Sequence, residues 1–322
     1  TIAILNRAHH DLIMNSASWL HAKIFISSYE MHQLIENNNV WDKCQFKNIS
    51  IVLCNPLPEP VERELMNMSG MVDLELKLHQ TKLSSFGQLL TNSAQTLKNL
   101  TLLSSTYLHE NGTGSFELDR PLNALSYLRV SRQCLKELRT VLDSDASPQC
   151  NYHILRTIVS RAPHLKVLSF STEAVCATLD AAFAETLWTS CPLLEEFHVH
   201  NAKDVQDSFF SHMHNCKNLK VLSLYLCPKL TMPGLANHLN HANILASLRE
   251  LNMRLQTSRA YRFGDPGAYA HVASVRLEKK GNGFKKLHTL LVDAPFYQLL
   301  LDNNLLSNKQ TTCVNPVSVF VM

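Results

Sequence analysis

Apolar residues recur along this chain in a six-residue pattern, apolar-x-x-apolar-x-apolar, in which leucine is the commonest apolar residue. The pattern occurs nine times, with first residues at Phe46, Met71, Leu97, Leu125, Leu165, Leu194, Leu219, Leu248 and Leu287. The steps between successive copies are 25, 26, 28, 40, 29, 25, 29 and 39 residues, so that six of the eight fall between 25 and 29. One hexamer would mean nothing in a leucine-rich chain, but nine in phase indicate an internal repeat.

Each copy has the alternation of a short strand with one buried face. The fourth and sixth residues point to the same side of such a strand, and the first residue closes the turn that enters it. Between two copies, in residues 232–245, Leu235, Leu239 and Ala242 fall at helical spacing and Pro233 suits a first helical turn. One strand–helix unit cannot bury its apolar side, whereas stacked units share a core. The period lies within the about 20–29 residues of leucine-rich repeats, and it predicts an α/β leucine-rich-repeat solenoid, a right-handed βα superhelix with a parallel sheet on its concave face.

Other segments interrupt or flank the repeats. Each of the two long steps is interpreted as one repeat plus a loop of about a dozen residues. The first loop lies between Ser131 and Pro148, and the second lies within the interval from Thr257 to Lys286. The predicted organisation is an N-terminal helical cap in residues 1–25, about nine repeats in residues 26–300 with their first helix and turn in residues 26–45, and a tail or closing element in residues 301–322.

Composition narrows the class of protein only slightly. The 322 residues are 45% hydrophobic and 18% charged, as in ordinary globular domains, and their net charge of +3 is too small to indicate a nucleic-acid or membrane partner. No apolar run approaches the about 18 residues typical of a transmembrane helix. The nine cysteines include no C-x-x-C pair. Buried free thiols in a reducing compartment, the cytoplasm or the nucleus, are therefore expected in place of a metal cage or a disulfide scaffold.

No arrangement of residues in the sequence indicates catalysis, a metal or a cofactor. The chain has no phosphate-binding glycine loop, no G-x-S-x-G and no H-E-x-x-H, so we expect a binding protein and not an enzyme. His212, His214 and Cys216 alternate where a short helix is predicted to run into a strand, and this spacing does not bring all three to one point. His238 and His241 have the spacing of a ligand pair but no third ligand, and they are expected to face solvent.

The candidate binding residues are the side chains that point away from the predicted core. They occupy the third, fifth and seventh positions of each copy and line the predicted sheet, which is the usual partner surface of solenoids. Aromatic residues and arginine dominate the energetics of protein interfaces. Both charge signs occur on this surface, which favours a protein target over a polyanion. The residues assigned to target binding are Tyr127, Arg129, Glu196, His198, His200, Tyr225, Glu250 and Arg254.

The best-preserved copies resemble the cysteine-containing leucine-rich repeats of the F-box/leucine-rich-repeat proteins. The resemblance rests on CPLLEEFHV and CKNLKVLSLYLCPKLTMPGL, where Cys227 occupies the ninth position of its copy, as Cys54 does in the first copy. A thiol at that position packs as a small apolar group. Residues 1–25 resemble the C-terminal half of an F-box, in which a helix and a polar turn lead to a tryptophan, here Trp19. His9 departs from that pattern, which has an aromatic residue ten positions before the tryptophan.

This resemblance implies a substrate-recognition subunit of an SCF-type cullin ubiquitin ligase. The F-box would dock on a Skp-type adaptor through Leu5, Leu12 and Trp19, while the repeat surface would hold the protein substrate of the ligase. Two alternatives remain open. One is a non-ligase interaction scaffold whose N-terminal helices only cap the repeats, and the other is a secreted or cell-surface repeat protein with paired cysteines. A Leu-Pro start and two short helices upstream of Thr1 would distinguish an F-box from a simple cap.

Overall fold

A computed structural model of the chain consists mainly of strands and of the helices between them. The structure describes residues 24–27, 48–52, 63, 67–78, 83–104, 116–132, 150–171, 179–200, 205–254, 272–277, 286–287, 289–293, 300–302 and 311–314. The strands in this part of the chain are β1 Ile24–Ser27, β2 Asn48–Val52, β3 Asp73–Leu78, β4 Asn99–Ser104, β5 Tyr127–Arg132, β6 Val167–Ser171, β7 Glu196–His200, β8 Val221–Tyr225, β9 Glu250–Arg254, β10 Val272–Leu277, β11 Thr289–Asp293 and β12 Thr311–Val314.

Strands β1 to β9, followed by β11, lie side by side and pair in the parallel direction. At the far end, β10 pairs antiparallel with β11, and β12 pairs antiparallel with β10. All nine predicted copies supply a strand, and each of these strands begins at the third residue of its hexamer. The prediction of an α/β fold with a parallel sheet is therefore confirmed.

Strand β1 precedes the first predicted copy. Its register with β2 places Ile24 and Ile26 beside the fourth and sixth residues of that copy. Residues 21–26 are thus a further copy of the hexamer, which the apolar pattern does not detect because its first residue is His21. Since β1 runs to Ser27, the helix predicted within residues 26–45 cannot include residues 26 and 27.

Strands β10 and β12 close the sheet at its other end. β10 lies in the second insertion, and the prediction of a loop there is wrong for residues 272–277. This strand pairs with β11 in the antiparallel direction. It therefore does not need the apolar first residue that closes the turn into a parallel strand and makes a copy visible in the sequence. β12 shows that the segment predicted as a tail or closing element does contribute a closing strand. Residues 24 and 25 of the predicted N-terminal helical cap lie in β1, so the prediction of helix is wrong for them, and residues 1–23 lie outside the described residues.

Helices lie between consecutive strands and pack on one another from repeat to repeat. They are α1 Leu83–Asn92, α2 Cys150–Ser160, α3 Ala181–Ser190, α4 Met232–Leu239 and α5 Ala242–Ser247, with 3-10 helices at Asp207–Phe210 and Met213–Asn215. α2 packs on α3, and α3 packs on both 3-10 helices. The first 3-10 helix in turn packs on α4 and the second on α5. From α2 to α5, neighbouring units therefore touch through their helices as well as through their strands.

The core fills the space between the sheet and the helices. Where burial is described, the first, fourth and sixth positions of the copies are buried, as the repeat predicts, except for Val130, which is half-buried. Around β7 the core is aromatic, and the Trp188 indole N–H donates to the carbonyl of Phe209 at 2.6 Å while its ring packs edge-on against Phe197 at 5.1 Å. Fully buried members of the three positions are Met71, Leu97, Leu100, Leu125, Leu128, Leu165, Leu168, Leu194, Phe197, Val199, Leu219, Leu222, Leu224, Leu248, Leu251 and Val292.

One backbone arrangement recurs wherever a copy enters its strand. The N–H groups of the second and third residues both donate to the carbonyl of the second residue of the preceding copy. Glu195 and Glu196, for example, donate to the Lys166 carbonyl at 2.7 and 2.9 Å. The same pair of bonds occurs at every entry from Lys98 to Glu250. This entry ladder keeps successive copies in register.

Two cysteines form a second ladder just before the strands. Cys191 and Cys216 stand three residues ahead of the first position of their copies, where their carbonyls accept the N–H of that first residue at 3.1 and 3.2 Å. The Cys216 thiol donates to the Cys191 carbonyl at 3.4 Å, and the Cys191 thiol donates to the Ala162 carbonyl at 3.5 Å. Burial raises the pKa of each thiol to about 12, so both remain protonated donors. With Cys227, they are buried free thiols, as predicted from the sequence.

The segment predicted as one helix over residues 232–245 is two helices. Leu235 and Leu239 are fully buried as predicted, but Ala242 is exposed at the start of α5, because the chain turns at Asn240. α4 begins after Thr231, whose side chain accepts the N–H of Gly234 at 3.2 Å.

Asp207, on the first 3-10 helix, holds this cap in place. Its carboxylate accepts the backbone N–H of Thr231 at 2.8 Å and also the Thr231 hydroxyl. A Cβ atom on Gly234 would overlap that carboxylate. Glycine at position 234 therefore makes room for the acid that joins two neighbouring units.

We expect Gly234→Ala to destabilise the fold, because the new methyl group would displace Asp207 from Thr231. Overpacking and the lost hydrogen bonds should cost about 1–3 kcal/mol, which outweighs the about 1 kcal/mol that alanine gains over glycine in a helix. Urea denaturation followed by circular dichroism measures the difference. In an Asp207→Gly background, which also removes the Cβ atom that the new methyl group would meet, the same substitution should become stabilising, and a loss of equal size in both backgrounds would contradict this explanation.

We also expect stability to fall in mildly acidic solution. Burial lowers the pKa of His238, on α4, although the Asp207 carboxylate acts in the opposite direction. Because the folded state binds this proton less tightly than the unfolded chain, the contribution to stability is complete above about pH 6.5 and is lost as the pH falls through the folded-state pKa. The free energy of unfolding should therefore decrease between about pH 7 and about pH 5. His238→Gln should make the decrease smaller, and an unchanged decrease in this variant would contradict the explanation.

Candidate protein-binding face

The third, fifth and seventh positions of the copies share the face of the sheet opposite the core, which we call the open face. Strand register aligns these positions in three rows. From β5 to β9 the third-position row is Tyr127, Val167, Glu196, Val221 and Glu250, the fifth-position row is Arg129, Ser169, His198, Ser223 and Asn252, and the seventh-position row is Ser131, Ser171, His200, Tyr225 and Arg254. All eight residues assigned to target binding from the sequence occupy these rows.

The rows differ in exposure and in charge. The third-position row carries the acidic residues Glu196 and Glu250, whereas the fifth and seventh rows carry the basic ones. Arg129 and His200 are exposed, and Arg254 is placed in its row by the backbone of β9. The remaining residues assigned to binding are half-buried: Tyr127, Glu196, His198, Tyr225 and Glu250.

Two serines of the fifth-position row have no role in the sequence analysis, yet they shape the face. Ser169 is half-buried, and Ser223 is only 6% exposed between His198 and Asn252. Small side chains between larger neighbours form depressions in a sheet surface. The sequence signal for these depressions is serine at the fifth position of alternate copies. Which larger side chains flank each serine depends on the strand register, which the sequence does not show.

His200 and Tyr225 form the most prominent aromatic feature of the open face. Their rings stack at 5.5 Å between centroids with an interplanar angle of 13°. Although His200 keeps access to solvent, partial burial of its ring lowers its pKa, and the electrostatic effects of His198 and Arg129 lower it further. Directly after Tyr225 the chain turns through Leu226, a left-handed residue with φ of 54°. The stacked pair therefore sits at the end of its strands, next to a backbone conformation that leucine rarely adopts.

His198 is held by the acidic row. Its Nε2 atom lies 3.2 Å from Oε2 of Glu196, two residues earlier on the same strand. This contact orients the imidazole toward the start of the strand. The two histidines of β7 thus have different surroundings, a carboxylate beside His198 and an aromatic ring beside His200.

A row of charged residues runs along the entry side of the sheet, at the second position of the copies. Glu195 accepts a hydrogen bond from Lys220 of the next copy and lies 3.6 Å from the ammonium group of Lys166 in the preceding one. The hydrogen bond from Lys220 is the main cause of the lowered pKa of Glu195. This bridge was not among the features predicted from the sequence, although lysine, glutamate and lysine at successive second positions indicate it.

The histidines considered as metal ligands lie on the helix side. His214 stacks on His241 at 4.7 Å, and His212 lies 6.4 Å from His214 between ring centroids, while the Cys216 thiol is turned to a backbone carbonyl. His241 is exposed as expected, but His238 is half-buried against Asp207 and does not simply face solvent. Among the described residues, no group of three or more histidine, cysteine or acidic side chains has the geometry to hold a metal ion.

Two observations on the whole chain complete this description. In the described part of the structure, none of the helices combines the length and the apolar character needed to span a membrane. In comparisons with known proteins, no family model matches the sequence, and a search of curated proteins likewise finds no match.

Proposed function

We propose that this protein is a leucine-rich-repeat solenoid that serves as the substrate-recognition subunit of an SCF-type cullin ubiquitin ligase and binds its target on the open face. The observation that carries the proposal is the register of the parallel strands. It aligns equivalent positions of successive copies and gathers aromatic, basic and acidic side chains into three adjacent rows. No single copy could offer such a surface.

Physical arguments support the solenoid. Neighbouring strands are about 4.8 Å apart, whereas packed helices need about 8–10 Å. A stack with strands on one side and helices on the other therefore curves, with the sheet on its concave side. The helices of neighbouring units do pack on one another. Parallel strands joined by a crossover are almost always connected in the right-handed sense, which supports a right-handed superhelix.

The ligase role is supported by the resemblance to F-box/leucine-rich-repeat proteins. In this proposal Leu5, Leu12 and Trp19, which lie outside the described residues, contact a Skp-type adaptor. The open face then holds a protein substrate close to the enzyme that modifies it. The chain supplies no bond-making group. It contributes proximity, which raises the effective concentration of the reacting partners. This work would take place in the cytoplasm or the nucleus.

Adaptor binding is tested with the full-length protein and a purified Skp-type adaptor. We expect Leu12→Ala and Trp19→Ala each to weaken the complex at least about tenfold, because a buried apolar anchor is worth more than about 1.4 kcal/mol at an interface. Isothermal titration calorimetry measures the affinities. Tyr225→Ala, on the open face, is the control and should bind normally. If the unmodified protein does not bind the adaptor, the ligase role is excluded and the non-ligase scaffold is the better explanation.

Target binding is tested by comparing proteins that co-purify with variants of the full-length chain. Tyr225→Ala and Glu250→Lys should each lower the recovery of a shared set of proteins at least about fivefold, as expected for interface residues worth about 1 kcal/mol. Quantitative mass spectrometry provides the measurement, and circular dichroism verifies folding. Glu185→Lys, which makes the same charge reversal at an exposed position on α3, is the matched control. Equal depletion by the control, or none by Tyr225→Ala, would contradict target binding on this face.

A further inference from the structure

Three nitrogen-bearing side chains surround two serine positions on β6. The register places Arg129 and His198 on either side of Ser169, and it places His200 beside Ser171. With adjacent strands about 4.8 Å apart, the backbones of Arg129 and His198 are separated by about 10 Å, with a small side chain between them. The open face therefore has a recess at Ser169, bounded by a guanidinium group and two imidazoles.

The permanent cation of this recess, Arg129, is not compensated within the described residues. None of their carboxylates lies within salt-bridge distance of Arg129. Glu196 contacts His198 from the third-position row, which leaves the fifth and seventh rows basic. Burial lowers the pKa of His200, His198 and Arg129 lower it further, and no carboxylate acts in the opposite direction. Such a recess complements an anion supplied by a partner.

We propose that this recess binds the carboxylate of an acidic segment in the target protein, with Arg129 as the cationic partner and His200 as a hydrogen-bond donor. The inference rests on the proposed role of the open face in target binding. A guanidinium group presents parallel N–H donors that match a carboxylate. Phosphate sites usually combine several arginines, whereas this recess has one permanent cation, with Glu196 close to its second imidazole. A singly charged carboxylate is therefore the better match.

The charged groups around His200 determine how the affinity for a carboxylate changes with pH. Burial disfavours a proton on His200, and so do Arg129 on β5 and His198, which lies on β7 with His200. Tyr225 on β8 stacks on the His200 ring, and Glu196 lies beyond His198. A bound carboxylate would favour the proton. Binding should therefore take up a proton, and affinity should increase as the pH falls through the neutral range.

The test uses the full-length protein and three fluorescent twelve-residue peptides. One repeats Glu-Gly-Ser, a second has glutamine in place of glutamate, and a third has glutamine with phosphoserine in place of serine. We expect the glutamate peptide to bind best and Arg129→Gln to weaken it about tenfold, the usual size of a lost charge-assisted contact. Arg161→Gln, which removes the same charge from an exposed site at the end of α2, should leave the affinity within about twofold.

Fluorescence anisotropy at several pH values completes the test. The unmodified protein should bind the glutamate peptide about three- to tenfold more tightly at about pH 6 than at about pH 7.5, and His200→Gln should remove most of that difference. No binding of the glutamate peptide up to millimolar concentration, a stronger preference for the phosphoserine peptide, or equal losses in the two arginine variants would overturn the proposal. One pair of results separates this inference from the proposed function. If Tyr225→Ala lowers target recovery as expected but Arg129→Gln leaves the peptide affinity unchanged, this inference fails and the proposed function stands.

Discussion

The structure depends on a constraint at the entry to the strands from β4 to β9, where two N–H groups share one carbonyl of the preceding copy. This ladder fixes the distance and the register between copies, so the side chains at the first, fourth and sixth positions always meet their equivalents. Burial of three such apolar side chains stabilises each unit by about 1.5–3 kcal/mol per side chain, more than the net contribution of about 1 kcal/mol from a backbone hydrogen bond. Burial therefore supplies most of the stability, and the ladder determines where that burial occurs.

This constraint explains why the parallel sheet could be predicted from sequence. Any copy that keeps its turn-closing apolar residue is visible in the pattern, and all nine such copies begin a strand at the same position. The copy at residues 21–26 escaped notice because His21 replaces that residue, although Ile24 and Ile26 keep apolar residues at the fourth and sixth positions. β10 could not be found by the same rule, since an antiparallel strand is entered through a different turn. The break between α4 and α5 escaped because helical spacing continues across it in the sequence.

The open face was predictable as a list of residues but not as a surface. Alternation along a strand determines which side chains leave the core, so Tyr127, His200 and their row neighbours follow from the hexamers alone. Which of them meet depends on the order and register of the strands. The stack of His200 on Tyr225 and the recess at Ser169 are contacts between copies and have no signature within one copy. The bridge of Glu195 to two lysines belongs to the same class.

The reversal of chain direction at β10 limits how this sheet can be lengthened. A duplicated copy inserted anywhere from β2 to β9 would find a parallel neighbour on both sides and could join the ladder. The same copy placed after β11 would meet β10, which runs the opposite way and already pairs with that edge. An antiparallel neighbour offers no shared carbonyl of the kind each copy uses at its entry. Addition of a whole copy to such a sheet is therefore blocked at its β11 end.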